Sequence, residues 1–313
     1  MKTISVRGLL AIYVAIPAVL LFMLADRFLF GGVAQKFLPQ TPEQLLWYML
    51  LFNFPHIFAS YFSFADKEYF SYYRKKLLVG IPLIVLAGML LAWQSTELCV
   101  LILIGYTFYH NVSQQTGITT ILMRYRDRMV TVWRFVNIAL AIFLYVLIYP
   151  SLWRSAAWEY AYPVGLTLLA CSIVLTVLMT KHAQTREGKL YAWGTTSIAG
   201  VGLIGVALGY PIFAISLLRV VHDITAFVFY IVHDMNRNRE VAHNLLYRYV
   251  IPSTSMLVFM IPLFGVFLTY VVQGGGTATV LPVFFILAVT HFYIEGFMWK
   301  NGSPHRANIA FST

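Results

Sequence analysis

Charge is what this sequence has least of. Only 11% of its 313 residues are Asp, Glu, Lys or Arg, whereas 60% are hydrophobic; soluble domains carry roughly 25% and 45–50%. No soluble fold of this length has interior enough to hide so much apolar surface. That excludes a soluble enzyme, a DNA-binding domain and a disordered chain. Cysteine is nearly absent, and Cys99 and Cys171 form neither a CxxC pair nor a disulfide framework. Missing too are GxSxG, HExxH, a glycine-rich phosphate loop and CxxCH. Serine-hydrolase, zincin, P-loop and c-type haem chemistries therefore lack their signatures. There is no internal repeat, low-complexity tract or extramembrane domain, so whatever the chain does is done within the bilayer or at its face.

What is present is apolar sequence in long runs, with a mean hydropathy of +0.75. A spanning helix takes about 20 mostly apolar residues. Ten segments qualify: 9–25, 42–64, 77–93, 97–121, 130–149, 159–180, 190–210, 212–235, 250–273 and 280–299. The basic-then-apolar start resembles a signal peptide, but no A-x-A-type cleavage site follows, so it reads as a retained first helix. Thr41-Pro42-Glu43 has a capping hydroxyl, a first-turn proline and an acid suited to a helix start. Gly274-Gly275-Gly276 separates the last two segments. Pro55 predicts a kink in the second helix that frees the carbonyl of Leu51.

The basic residues orient these helices. The net charge is +10. Lys2 and Arg7, Lys67 and Arg74–Lys76, Arg124, Arg126 and Arg128, Lys181, Arg186 and Lys189, Arg237, Arg239 and Arg248, and Lys300 and Arg306 all fall on one side. The opposite loops hold Arg27, Lys36 and Arg154. By the positive-inside rule the richer side is cytoplasmic. The sequence thus predicts an all-α, polytopic transmembrane helical bundle of about ten helices with both termini cytoplasmic. It reads as a single integral membrane domain over residues 1–313, multi-pass in a bacterial inner membrane. The positive charge then has its source in membrane topology, and nucleic acid is not an expected partner.

Ionisable groups inside spanning segments are costly and mark function by default. Here they concentrate on even-numbered helices: His56 on the second, His110 on the fourth, His222 and His233 on the eighth, and His291 with Glu295 on the tenth. These helices run from outside to inside and carry their imidazoles at overlapping depths in the cytoplasmic half. His291 and Glu295 are one turn apart on one face, as are His110 and Gln114. His222 and His233, about three turns apart, return to nearly the same face and are each followed by an acid, Asp223 and Asp234. The expected metal ligands are His56, His110, His222, His233, His291 and Glu295. Asn53, Gln114 and Asp223 are expected to support them, and Glu295, His233 and Asp234 to handle protons. His182, His243 and His305, in loops and the tail, read as solvated.

Imidazoles with one carboxylate suit iron, with zinc or copper as alternatives, rather than magnesium or calcium. His56, His110, His222, His233 and His291, in a chain of this size, resemble the ligand sets of membrane non-haem iron enzymes, such as fatty-acid desaturases and hydroxylases and the Brp/Blh carotene dioxygenases. The segment NFPH ending at His56 is similar to the early proline–histidine motif of the Brp/Blh type. The HxxxH and HxxHH boxes of desaturases do not occur. The resemblance implies an O₂-using, metal-dependent oxidoreductase acting on a lipid-soluble small molecule in the bilayer, supplied by an electron-donor protein. Two other functions use the same residues: proton- or ion-coupled transport along the histidines, and b-type haem ligation by a histidine pair.

Overall fold

A computed structural model describes residues 1–39, 48–148, 156–250, 263, 265–266 and 277–312. In chain order these form β1 (Ile4–Ser5), α1 (Val6–Ile12), α2 (Ala15–Phe28), a 3₁₀ turn (Ala34–Lys36), a π-helical turn (Met49–Asn53) and α3 (Phe54–Phe62). There follow a second 3₁₀ turn (Ser63–Ala65), α4 (Lys67–Gln94), α5 (Thr96–Met123), α6 (Arg128–Ile148), α7 (Ala156–His182), α8 (Arg186–Leu208) and α9 (Pro211–Arg237). The chain ends with α10 (Leu245–Tyr249), α11 (Thr277–Met298), α12 (Pro304–Ala307) and β2 (Phe311–Ser312), which pairs in parallel with β1.

The helical class expected from hydropathy is observed. Among the described residues, six helices are long and apolar enough to cross a membrane: Val6–Phe28, Lys67–Gln94, Arg128–Ile148, Glu159–His182, Arg186–Leu208 and Pro211–Arg237. The chain is an integral membrane protein. On α4, Leu78, Val79, Leu83, Leu86, Met89, Leu90 and Trp93 are exposed, as side chains are when lipid is their solvent. The segment expected at 250–273 falls almost wholly outside the described residues, as do the cap at Thr41–Glu43, the break at Gly274–Gly276, and Arg154.

The chain divides into two compact units. The first comprises Met1–Ser5, Leu46–Thr107 and Asp223–Thr313. In it α11 packs on α3 and α4. Ala59, Tyr69, Tyr73, Ala226, Tyr230, Ile294 and Phe297 make a buried core, with Ile57, Ala288 and Phe292 forming a smaller one. Asp66 starts α4 by accepting from the backbone N–H groups of Glu68 and Tyr69. Where a proline kink is expected, the π turn ends at Asn53 and α3 begins with Pro55 in its first turn. The missing proline N–H is harmless at that position.

The second unit comprises Val6–Leu45 and Phe108–His222. Here α6, α7 and α8 pack on one another, and α2 packs on α8. The Nε1–H of Trp133 donates to Thr176 Oγ1 at 2.8 Å, Thr176 and Thr196 share a 2.7 Å bond, and Ser172 donates to Asn137 at 3.1 Å. Such polar contacts join helices where the hydrophobic effect supplies no drive. Gly188 lets α8 approach the chain at Met123, since a Cβ there would lie 2.5 Å from Met123 Cα. Gly209 closes α8 at φ +88°, a backbone conformation that glycine adopts without the Cβ penalty.

Candidate metal centre

In the first unit three helices each bring a turn of polar side chains into an apolar interior. From α3 come His56 and, one turn on, Ser60; from α11 come His291 and Glu295; from α9 come Asp223 and Tyr230. His56, His291, Glu295 and Asp223 are all buried. Ligand atoms of His56, His291 and Glu295 lie within 4.8 Å of one another. The two imidazole rings meet edge to face, with centroids 4.5 Å apart and planes at 90°.

The surrounding hydrogen bonds select the tautomers. His56 Nδ1 lies 3.0 Å from Asp223 Oδ1, and Tyr48 donates its hydroxyl to the other oxygen of the same carboxylate. An ionised carboxylate only accepts, so Nδ1 of His56 carries the hydrogen. Nε2 of His56 faces Glu295, 3.6 Å from Oε1. Ser60 donates its hydroxyl hydrogen to the carbonyl of Ile57 at 2.7 Å. Its oxygen therefore accepts from His291 Nδ1, 3.0 Å away. Both rings thus carry a hydrogen on Nδ1, which leaves Nε2 as the nitrogen a metal would take, the arrangement in which a carboxylate or hydroxyl orients a metal-binding imidazole. Tyr230 donates its hydroxyl to Glu295.

Two imidazoles and one carboxylate are the donor set of non-haem iron sites with open coordination positions. Of the residues singled out from the sequence, His56, His291 and Glu295 converge, with Asp223 holding the first. Asn53 is buried at the end of the π turn. His233 and Asp234 form a different cluster of the same unit. His233 Nδ1 bonds Asp234 at 2.8 Å and its Nε2 bonds Tyr69 at 2.9 Å, so both ring nitrogens are engaged. Tyr247 also donates to Asp234.

The remaining two histidines belong to the second unit, where the buried rings of His110 and His222 meet at 5.0 Å. Gln114 is half-buried there. Its neighbour Gln115 is fully buried and accepts from Tyr13 and Tyr191 at 2.8 and 2.7 Å.

Tyr48, Ser60 and Tyr230 escaped the sequence reading. Ser60 has a signal, because it stands four residues after His56 on the same face. Tyr48 and Tyr230 have none among so many aromatics. His305, expected in solvent, is fully buried. Ser303 caps the short α12 by accepting from the N–H of Arg306, and the ring stacks on Tyr69 with centroids 3.8 Å apart. Burial, with the neighbouring Arg237 cation adding to it, pushes its pKa down to about 2. Compared with known proteins, the chain matches no family, no curated protein and no solved structure.

Proposed function

We propose that this protein is a membrane-embedded, metal-dependent oxidoreductase, using iron and O₂ on a lipid-soluble substrate. The observation that carries the reading is the buried His56–His291–Glu295 group, whose imidazoles are oriented by Asp223 and Ser60. Buried ionisable groups in apolar surroundings are retained for function, and this donor set suits iron above calcium or magnesium. His56, His291 and Glu295 would hold the ion, and a bound iron would supply the binding and one-electron reduction of O₂. Asp223 fixes His56, and Tyr230 orients the Glu295 carboxylate. The His110–His222 pair of the second unit is not needed for this ligand count. Ten spanning helices, cytoplasmic termini and a bacterial inner membrane complete the proposal, supported by the loop charges.

Metal analysis of the purified protein tests the reading. Stoichiometric iron is expected in the parent, with loss in His56→Ala, His291→Ala and Glu295→Ala variants that retain parental helicity and a monodisperse elution profile. Metal that stays in all three overturns it, as does an iron-free protein that catalyses substrate flux in proteoliposomes.

A further inference from the structure

The cluster around His233 lies outside the three-ligand group, yet an unbroken run of aromatic rings within the first unit joins the two. Tyr230, whose hydroxyl rests on Glu295, meets Trp299 edge-on with centroids 5.3 Å apart. Trp299 meets His233 at 5.8 Å and His305 at 6.0 Å. Both imidazoles pack against Tyr69, at 5.5 and 3.8 Å. Tyr69 is itself buried, and the Arg237 guanidinium stands 4.7 Å from its ring centroid. Arg237 pairs with Asp66 at 2.7 Å and with Glu68 at 2.6 Å, and Glu68 is exposed. The run therefore begins one side chain beneath the surface and ends at a proposed metal ligand.

Hydrogen bonds give its outer end a defined proton position. Asp234 accepts from Tyr247 and from His233 Nδ1, so the lone pair of His233 is on Nε2 and Tyr69 donates to it. Asn308 donates to the Tyr69 oxygen at 2.9 Å. A phenol aimed at an imidazole that is backed by a carboxylate can release its proton without water.

We propose that Tyr69 is a redox-active tyrosine that relays electrons, through Trp299 and Tyr230, to the His56–His291–Glu295 centre. The inference rests on the metal reading above. In the step, the Tyr69 O–H bond breaks and its proton passes to His233 Nε2. One electron passes along the rings to the metal ion, previously oxidised by O₂, which is reduced by one charge. What remains is a neutral tyrosyl radical beside an imidazolium whose Nδ1–H rests on Asp234. The Arg237 cation against the ring opposes a positively charged tyrosine, so electron and proton leave together. A one-electron donor protein docking near Glu68 and Arg237 returns the electron, and the proton returns from Nε2.

The test uses the full-length protein in detergent, loaded with ferrous iron, exposed to O₂ and freeze-quenched for electron paramagnetic resonance. A tyrosyl signal that changes on ring-deuterated tyrosine labelling is expected in the parent and in Tyr73→Phe. It is expected to be lost in Tyr69→Phe at unchanged iron content, and to form more slowly in Trp299→Leu. Bound, oxidised iron with no radical, or with a radical that survives Tyr69→Phe, overturns the proposal. A metal-free arm oxidises the protein by flash photolysis of tris(bipyridine)ruthenium with persulfate. If the protein binds no iron, the metal reading fails, and this arm decides Tyr69: a radical there upholds its redox role, and a radical elsewhere overturns it.

Discussion

A buried imidazole is defined less by its own chemistry than by what holds its second nitrogen. His56 and His233 show this within one unit. Each gives Nδ1 to a carboxylate, Asp223 or Asp234. Nε2 of His56 faces Glu295, whereas Nε2 of His233 faces a tyrosine hydroxyl. In the proposed chemistry the first would bind a cation and the second would take a proton. Replacing Asp223 with Asn is expected to lower metal affinity roughly 10- to 100-fold, the usual cost of losing a ligand's orienting partner. Titration with ferrous iron checks this, and an unchanged affinity removes Asp223 from the site.

His305 makes a pH prediction at the same scale. Its folded pKa, about 2, lies below the 6.5 of a free histidine. Below pH 6.5 the unfolded tail binds a proton that the folded tail rejects, so its stability falls with pH by up to roughly 1.4 kcal/mol per unit. Above pH 6.5 the group contributes no slope. Amide exchange of residues 303–309 between pH 5 and pH 7.5 is expected to show this dependence, and His305→Phe to flatten it.

Elements succeed or fail by whether their backbones can approach closely enough for side chains to meet. The π turn at Met49–Asn53 carries its irregular backbone to the start of α3, one turn before His56, and such turns recur at functional sites. In the second unit Gly188 does the equivalent for α8, where a Cβ would strike the backbone of Met123. Gly188→Val is therefore expected to lower the melting temperature in detergent through overpacking of about 2–3 kcal/mol. A variant that melts with the parent refutes the close contact. The polar links among Trp133, Thr176, Thr196, Ser172 and Asn137 belong to this scale too, being helix-to-helix attachments rather than chemistry.

For the whole molecule the governing fact is the solvent. Apolar side chains exposed along α4 are stable only in lipid, and the loop charges are the basis of the proposed orientation. In a background with Cys99 and Cys171 replaced by Ser, Arg126→Cys is expected to react with an impermeant maleimide only in inverted vesicles. Lys36→Cys is expected to react only in right-side-out vesicles. The reverse pattern overturns the proposed orientation.

Much of this was legible in the residues themselves. Spacing of apolar runs determined the helical class, because a backbone in lipid must satisfy its own hydrogen bonds. Scarcity of charge singled out His56, His110, His222, His233, His291 and Glu295, because ionisable groups in spanning segments are costly. The i,i+4 relation of His291 and Glu295 placed them on one face without any tertiary information. Partnership was decided elsewhere. Tyr48, Ser60 and Tyr230 became visible as supports only when α3, α9 and α11 came together. His233 was drawn into its own cluster by Tyr69, a residue far from it in sequence. His305 left its expected place in solvent because α12 folds onto α4. A periodicity reports which face a side chain occupies, and the packing of that face against another helix alone determines which atoms share a proton or a metal.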